Sequence, residues 1–142
     1  MDRVRFIDHG GHRILLLDYS NCKSSAEMLK MIEIRKAIAK AQRPASLLTL
    51  TDATGAKFDH DVLTKIKEAA ALERPVIKRA ALVGVDSVSK AVIDAVRAFS
   101  GRKWAHFNTR EEALQWLVGA AAHPQPSGVS GAAGPRSSAG GR

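Results

Sequence analysis

Several common chemistries lack their residues in this chain. Cys22 is its only cysteine, so neither an internal disulfide nor a cysteine-built metal cluster can form. Aromatic residues make up 5% of the sequence, and none is interleaved with the basic residues between Lys30 and Arg43, as a single-strand nucleic-acid binder requires. Long apolar runs are missing too. Ile14-Leu15-Leu16-Leu17 and Ala80-Ala81-Leu82-Val83 fall far short of the roughly 20 residues that span a bilayer. The amino terminus, Met1-Asp2-Arg3-Val4-Arg5, carries no apolar signal-peptide stretch. A cytoplasmic location is therefore expected, and a lone thiol fits it. No glycine pattern of a dinucleotide or P-loop site occurs; Gly84 and Gly101 read as close packing and a helix cap. No internal repeat is evident, and no cofactor is expected.

What is present describes one α/β domain. The chain has 142 residues and a net charge of +8, of which Arg136 and Arg142 contribute two from an acid-free tail. A basic balance favours acidic partners, but the remaining basic residues are scattered among acids. No arm or stripe for phosphate backbones results, and no specific nucleic-acid partner is expected. Residues 1–119 read as the domain. Residues 120–142, rich in Ala, Gly, Ser and Pro, bury too little apolar surface to offset chain entropy and are expected to be disordered.

Local patterns predict the elements. Val4 to Asp8 and Arg13 to Tyr19 read as strands joined by a Gly10-Gly11 turn. Ser24-Ser25-Ala26-Glu27 reads as a capping box. The helix behind it places Met28, Met31, Ile34, Ile38 and Ala41 inward and ends at Arg43-Pro44. Ser46 to Thr51 is apolar enough for a strand buried on both faces. Asp59 caps a helix with Val62, Leu63, Ile66, Ala69 and Ala70 inward, stopped at Pro75. Val76 to Val85 holds a strand. Asp86 or Ser87 opens a third helix with Val88, Val92, Ala95 and Phe99 on one face, closed at Ser100-Gly101. Lys103 to Phe107 is a short strand. Thr109-Arg110-Glu111-Glu112 is a second capping box, before a helix with Ala113, Leu114, Leu117 and Val118 inward. The order β-β-α-β-α-β-α-β-α predicts a mostly parallel sheet with an antiparallel amino-terminal edge hairpin.

The candidate site is Leu50-Thr51-Asp52-Ala53-Thr54-Gly55, where a buried strand ends on a carboxylate, a hydroxyl and a glycine. Working loops of open α/β sheets sit at such strand ends. Two readings are open. Thr54 is a phosphorylatable hydroxyl, to which a phosphate adds nearly two negative charges near a helix start that can accommodate them; or the stretch is a turn, with Asp and Thr bonded to local backbone.

Three motifs resemble one family in order. They are the loop just given, Lys78-Arg79-Ala80-Ala81-Leu82-Val83-Gly84-Val85, and Phe107-Asn108-Thr109-Arg110-Glu111-Glu112-Ala113-Leu114-Gln115-Trp116-Leu117. Together, over about residues 4 to 118, they resemble the STAS domains of sulfate transporters and anti-sigma-factor antagonists, and more closely their SpoIIAA-like bacterial group. The resemblance implies a STAS-like fold and a non-catalytic regulatory role. It also implies a partner protein, a kinase or an anti-sigma-type protein, and phosphorylation at Thr54. Asp52, Thr54, Gly55, Lys57 and Asp59 would form the interaction loop. One departure stands out: Ala56-Lys57-Phe58 separate Thr54 from the helix cap Asp59, whereas in phosphorylated members the helix begins at the hydroxyl residue. Asp59 and Asp61 add negative charge, with Lys57 alone nearby to offset it.

Other candidates carry weaker chemistry. His9 and His12 with Asp8 are potential metal ligands, but their spacing across a hairpin turn is expected to splay them, and no metal is expected. His60 near Thr54 suggests nucleophile activation, yet no orienting group follows it, so a solvated first-turn residue is expected. Lys30, Lys36, Lys40 and Arg43, with Arg35 beside them, are expected to form a basic, solvated helix face. Trp104, Phe107 and Trp116 are expected to pack helix on sheet. An alternative function is a small-ligand or lipid-binding module on the same fold.

Overall fold

The computed structural model describes residues 2–100 and 104–119, save the side chains of Ser87, Ala95, Val96, Phe99 and Ser100. The expectations for Ala95, Phe99, the Ser100-Gly101 stop, Lys103 and the 120–142 tail lie outside that description. The elements run β1 Val4–His9, β2 His12–Asp18, α1 Ser25–Lys40, β3 Leu47–Asp52, α2 His60–Glu73, β4 Ile77–Val83, α3 Lys90–Ser100, β5 Trp104–Phe107 and α4 Arg110–Leu117. The expected order is thus observed. One mixed sheet holds the strands in the order β1-β2-β3-β4-β5, β1 antiparallel to β2 and the others parallel. Gly10 and Gly11 have φ of 56° and 79°, which a tight hairpin turn requires.

Strand periodicity divides the core into two. Val4, Leu15, Leu17 and Leu82 face one side, where α1 and α2 supply Met28, Met31, Ile32, Val62 and Ile66. Ile14, Leu16, Leu50, Ala81, Val83 and Phe107 face the other, where α4 alone supplies Ala113 and Leu117. Alternate residues of each strand therefore meet different helices. β3 is buried along nearly its whole length, as its apolar run predicts. Each fully buried Leu or Ile contributes about 1.5–3 kcal/mol. Arg79 reaches over the second face and donates to the Trp116 carbonyl at 2.6 Å, where a cation complements the helix end. Phe107 and Trp116 pack with ring centroids 5.4 Å apart, and Trp104 joins the first-side core.

Local signals set the helix starts. Ser24, Asp59 and Thr109 each accept from the amide three residues on: Glu27, Val62 and Glu112. The reciprocal half of both capping boxes is absent. The Glu27 carboxylate takes Arg3 at 3.2 Å and the Cys22 thiol at 3.4 Å instead, and Glu112 Oε1 is buried without a partner among the described residues.

Three expectations are corrected. α3 begins at Lys90, not at Asp86 or Ser87. Gly84 turns left-handed (φ 86°), Val85–Ser87 make a short 3-10 turn, and Val88 is extended, so the chain re-enters a helix only after Ser89. The buried stripe of α1 is Met28, Met31, Ile32, Arg35 and Ala39; Ile34 and Ile38 are half-buried and Ala41 is exposed. Arg35 thus leaves the basic outer face, because an acid on α2 receives it inside. His9 and His12 are paired in the hairpin register, so they share a sheet face and do not splay; Asp8 pairs with Arg13 on the opposite face.

Candidate functional site

The carboxyl ends of β2 and β3 bring two acids together. Asp18 and Asp52 are register partners, so both point to the second sheet face. There they meet Arg110, the first residue of α4. Its Nε donates to Asp52 Oδ2 at 2.7 Å, and its terminal nitrogen lies 3.1 Å from Asp18 Oδ1. Burial opposes the guanidinium charge, but the hydrogen bond and charge of Asp52, with Asp18, outweigh it and raise the pKa. Partial burial pushes the Asp18 carboxyl up. The Ser20 hydroxyl and amide, with Arg110, outweigh that and hold it below the usual carboxylate range.

Asp52 is 6% exposed. Its Oδ2 holds Arg110, while its Oδ1 accepts from the Thr54 amide at 3.0 Å, closing a turn over the strand end. It therefore shapes the loop from beneath and presents no surface of its own.

The loop is tied on both sides of Thr54. The Ala53 amide donates to Val83, the Asn21 amide to the Thr54 carbonyl at 2.7 Å, the Ala56 amide to Ala53, and the Lys57 amide to Cys22. Ala53 and Ala56 are buried, whereas Thr54, Lys57 and Asp59 are exposed. Gly55 (φ 70°) lies against Asn21. Gly84 lies against Thr54: a β-carbon there would fall 2.7 Å from Thr54 Cα and closer still to its nitrogen and Oγ1. Only a glycine lets the two loops touch at that point.

Asp59 caps α2, as expected, and also accepts from the Ser25 hydroxyl. That hydroxyl and the Val62 amide lower its pKa. α2 therefore starts well past Thr54, as the Asp59 cap predicts, and no helix start lies directly beneath the hydroxyl residue. The inserted Ala56 packs inward, so the chain crosses to the Asp59 cap before coiling. His60 is exposed in the first turn of α2, its carbonyl taken by Thr64. Among the described residues no group of three or more His, Cys, Asp or Glu side chains could hold a metal ion, His9, His12 and Asp8 included. Among the described residues no helix is long and apolar enough to cross a membrane.

Sequence reasoning missed Arg110, which lay in the capping box as a mere first-turn residue. It also missed a buried polar cluster on the first face. Arg35 donates through Nε and a terminal nitrogen to Glu73 at 2.7 and 2.8 Å, and through its other terminal nitrogen to the Tyr19 hydroxyl at 3.0 Å. Burial works against the Arg35 charge, but Glu73 and Tyr19 outweigh it and keep the guanidinium protonated. Burial raises the Tyr19 phenol, with Arg35 in partial opposition. A signal was present: Arg35 continues the stripe of Met28, Met31 and Ile32, and Glu73 that of Val62, Ile66, Ala69 and Ala70.

No protein-family model matches this chain, no curated protein matches it, and no solved structure does.

Proposed function

We propose that this chain is a STAS-like regulatory domain without catalysis of its own, acting in the bacterial cytoplasm. It binds a partner protein, a kinase or an anti-sigma-type protein, through the Asp52–Asp59 loop and the exposed side of α2. The supporting observation is that Thr54 is exposed on a loop whose backbone is pinned on both sides. A rigid loop presents one fixed shape to a partner and loses little entropy on binding. The fold order and the three sequence motifs support the family reading.

The charge around Thr54 supports an inhibitory switch. Arg110 is already engaged by two carboxylates, and Asp59 and Asp61 lie beyond. A phosphate on Thr54 adds nearly two negative charges, while Arg110 is committed to Asp18 and Asp52 and Lys57 is the cation nearby in sequence. Its effect is therefore bulk and desolvation within the contact, a few kcal/mol, or about 100-fold weaker binding. The test is an affinity pull-down from the native host with wild type, Thr54→Ala and Thr54→Asp. Wild type and Thr54→Ala retain one specific partner that Thr54→Asp loses. Equal recovery on all three rejects the switch.

A further inference from the structure

The sheet face opposite the Asp18–Arg110 cluster has a feature that the loop reading leaves unused. A cavity of about 60 Å³ lies between β3, β4, β5 and the helices α2 and α3. A water molecule needs roughly 10–15 Å³ of such space, so there is room for a small organic molecule. Phe58, Ile66, Leu82, Val92 and Trp104 make the walls mostly apolar. The wall is polar at Tyr19, Arg35 and Glu73, which are 1%, 8% and 6% exposed, and also at Thr49, Thr51 and Arg74.

The hydrogen-bonding capacity of this cluster is unbalanced. A guanidinium has five N–H donors. Arg35 commits three, two to Glu73 and one to the Tyr19 oxygen. Two N–H groups remain. The Tyr19 hydroxyl accepts from Arg35, and no described residue accepts its proton. Each Arg35 nitrogen and the Tyr19 oxygen thus has one partner, and two N–H groups and the O–H proton can still donate at a nearly buried site bordering the cavity. At the buried end charge is balanced, since Arg35 and Glu73 neutralise one another; a third charge, the exposed Arg74, also lines the cavity. An anion set against Arg35 would share it with Glu73 and bring two negative charges together among mostly apolar walls, which is disfavoured. A neutral acceptor meets both conditions.

We propose that this cavity binds a small, neutral, mostly apolar molecule bearing a carbonyl, whose oxygen accepts from the Tyr19 hydroxyl and Arg35. Thr54 does not line the site, although Ala53 and Phe58 of the same loop do, and the proposal does not rest on the switch reading.

The test uses the full chain and three six-carbon-ring probes: cyclohexanone, cyclohexane and cyclohexanecarboxylate. Binding is read as the shift of the Trp104 indole NMR signal on titration. Cyclohexanone shifts the signal saturably and binds most tightly of the three. Tyr19→Phe keeps the ring but removes the donor, and weakens cyclohexanone about tenfold, the contribution of one hydrogen bond in a dry site, while leaving cyclohexane unchanged. Ala80→Leu, which fills the cavity from β4, abolishes binding of both. Equal binding of ketone and alkane, tightest binding of the carboxylate, or no saturable shift at all (a cavity holding water only) overturns the proposal. If Tyr19→Phe does not fold, Ala80→Leu decides: undiminished cyclohexanone binding overturns the site.

Discussion

Arg110 Nε lies 2.7 Å from Oδ2 of Asp52, joining the first residue of the last helix to the last residue of the central strand. This contact holds the candidate loop from below, because the other Asp52 oxygen carries the Thr54 amide. Arg110→Ala leaves a buried carboxylate without its cation. Hydrogen bonds to charged groups contribute about 1.5–3 kcal/mol, and the part-exposed Arg110 brings the expected loss to about 1–2 kcal/mol. Urea denaturation measures it. Amide exchange at Thr54 should rise in the same variant; unchanged exchange would uncouple the clamp from the loop.

Gly84 sets the other side of that loop. Its φ of 86° and its contact with Thr54 both exclude a β-carbon. Gly84→Ala combines left-handed strain with a clash against backbone, an expected cost of about 1–3 kcal/mol. Calorimetric unfolding tests this, and a melting temperature equal to wild type contradicts it.

The Arg35–Glu73 pair predicts a specific asymmetry. Glu73→Met or Arg35→Met alone strands a buried charge, for a loss of about 3–5 kcal/mol. The double replacement by Met removes both charges and fills similar volume, so most of the loss returns. A double-mutant cycle in urea measures the coupling. Additive losses would mean that the two side chains act separately.

Acid should weaken the fold through Asp18. Its carboxyl is lowered in the folded state by Ser20 and Arg110 against the push of burial. The unfolded chain therefore takes up the proton first. This stabilisation is complete above the ordinary carboxylate range, about pH 4, and is lost as pH falls through the folded value. Asp18→Asn lacks this contribution. The stability gap between wild type and Asp18→Asn, read from urea midpoints at pH 7, 5, 4 and 3, should narrow toward acid. A constant gap contradicts the assignment.

The legible parts of the fold were those set by neighbours in the chain. Caps at Ser24, Asp59 and Thr109 act over three residues, and the strand at Leu47–Asp52 declares itself by an unbroken apolar run. What stayed hidden depends on topology. Arg35 reads as a surface residue until α2 brings Glu73 to it, 38 positions away. The phase of the α1 stripe hinged on that pairing, since Ile34 and Ile38 offered an equally periodic face. Arg110 and Asp52 stand 58 positions apart and meet only because α4 crosses behind β3. The loop itself was visible as a strand end, but its pinning by Asn21 and Gly84 comes from two other strand ends. Gly84 reads as a close-packing glycine in the sequence, but nothing local names Thr54 as its partner, and Asn21 carries no local mark of its role.

We propose Thr54 as the switch of an interaction loop. Phosphopeptide mapping of the full chain purified from its native host tests it most directly, with the partner-bound and free fractions compared. Phosphate on Thr54, concentrated in the free fraction, is the expected result. Protein without phosphate at Thr54 in both fractions, or phosphate at Thr54 equally present in both, would contradict it.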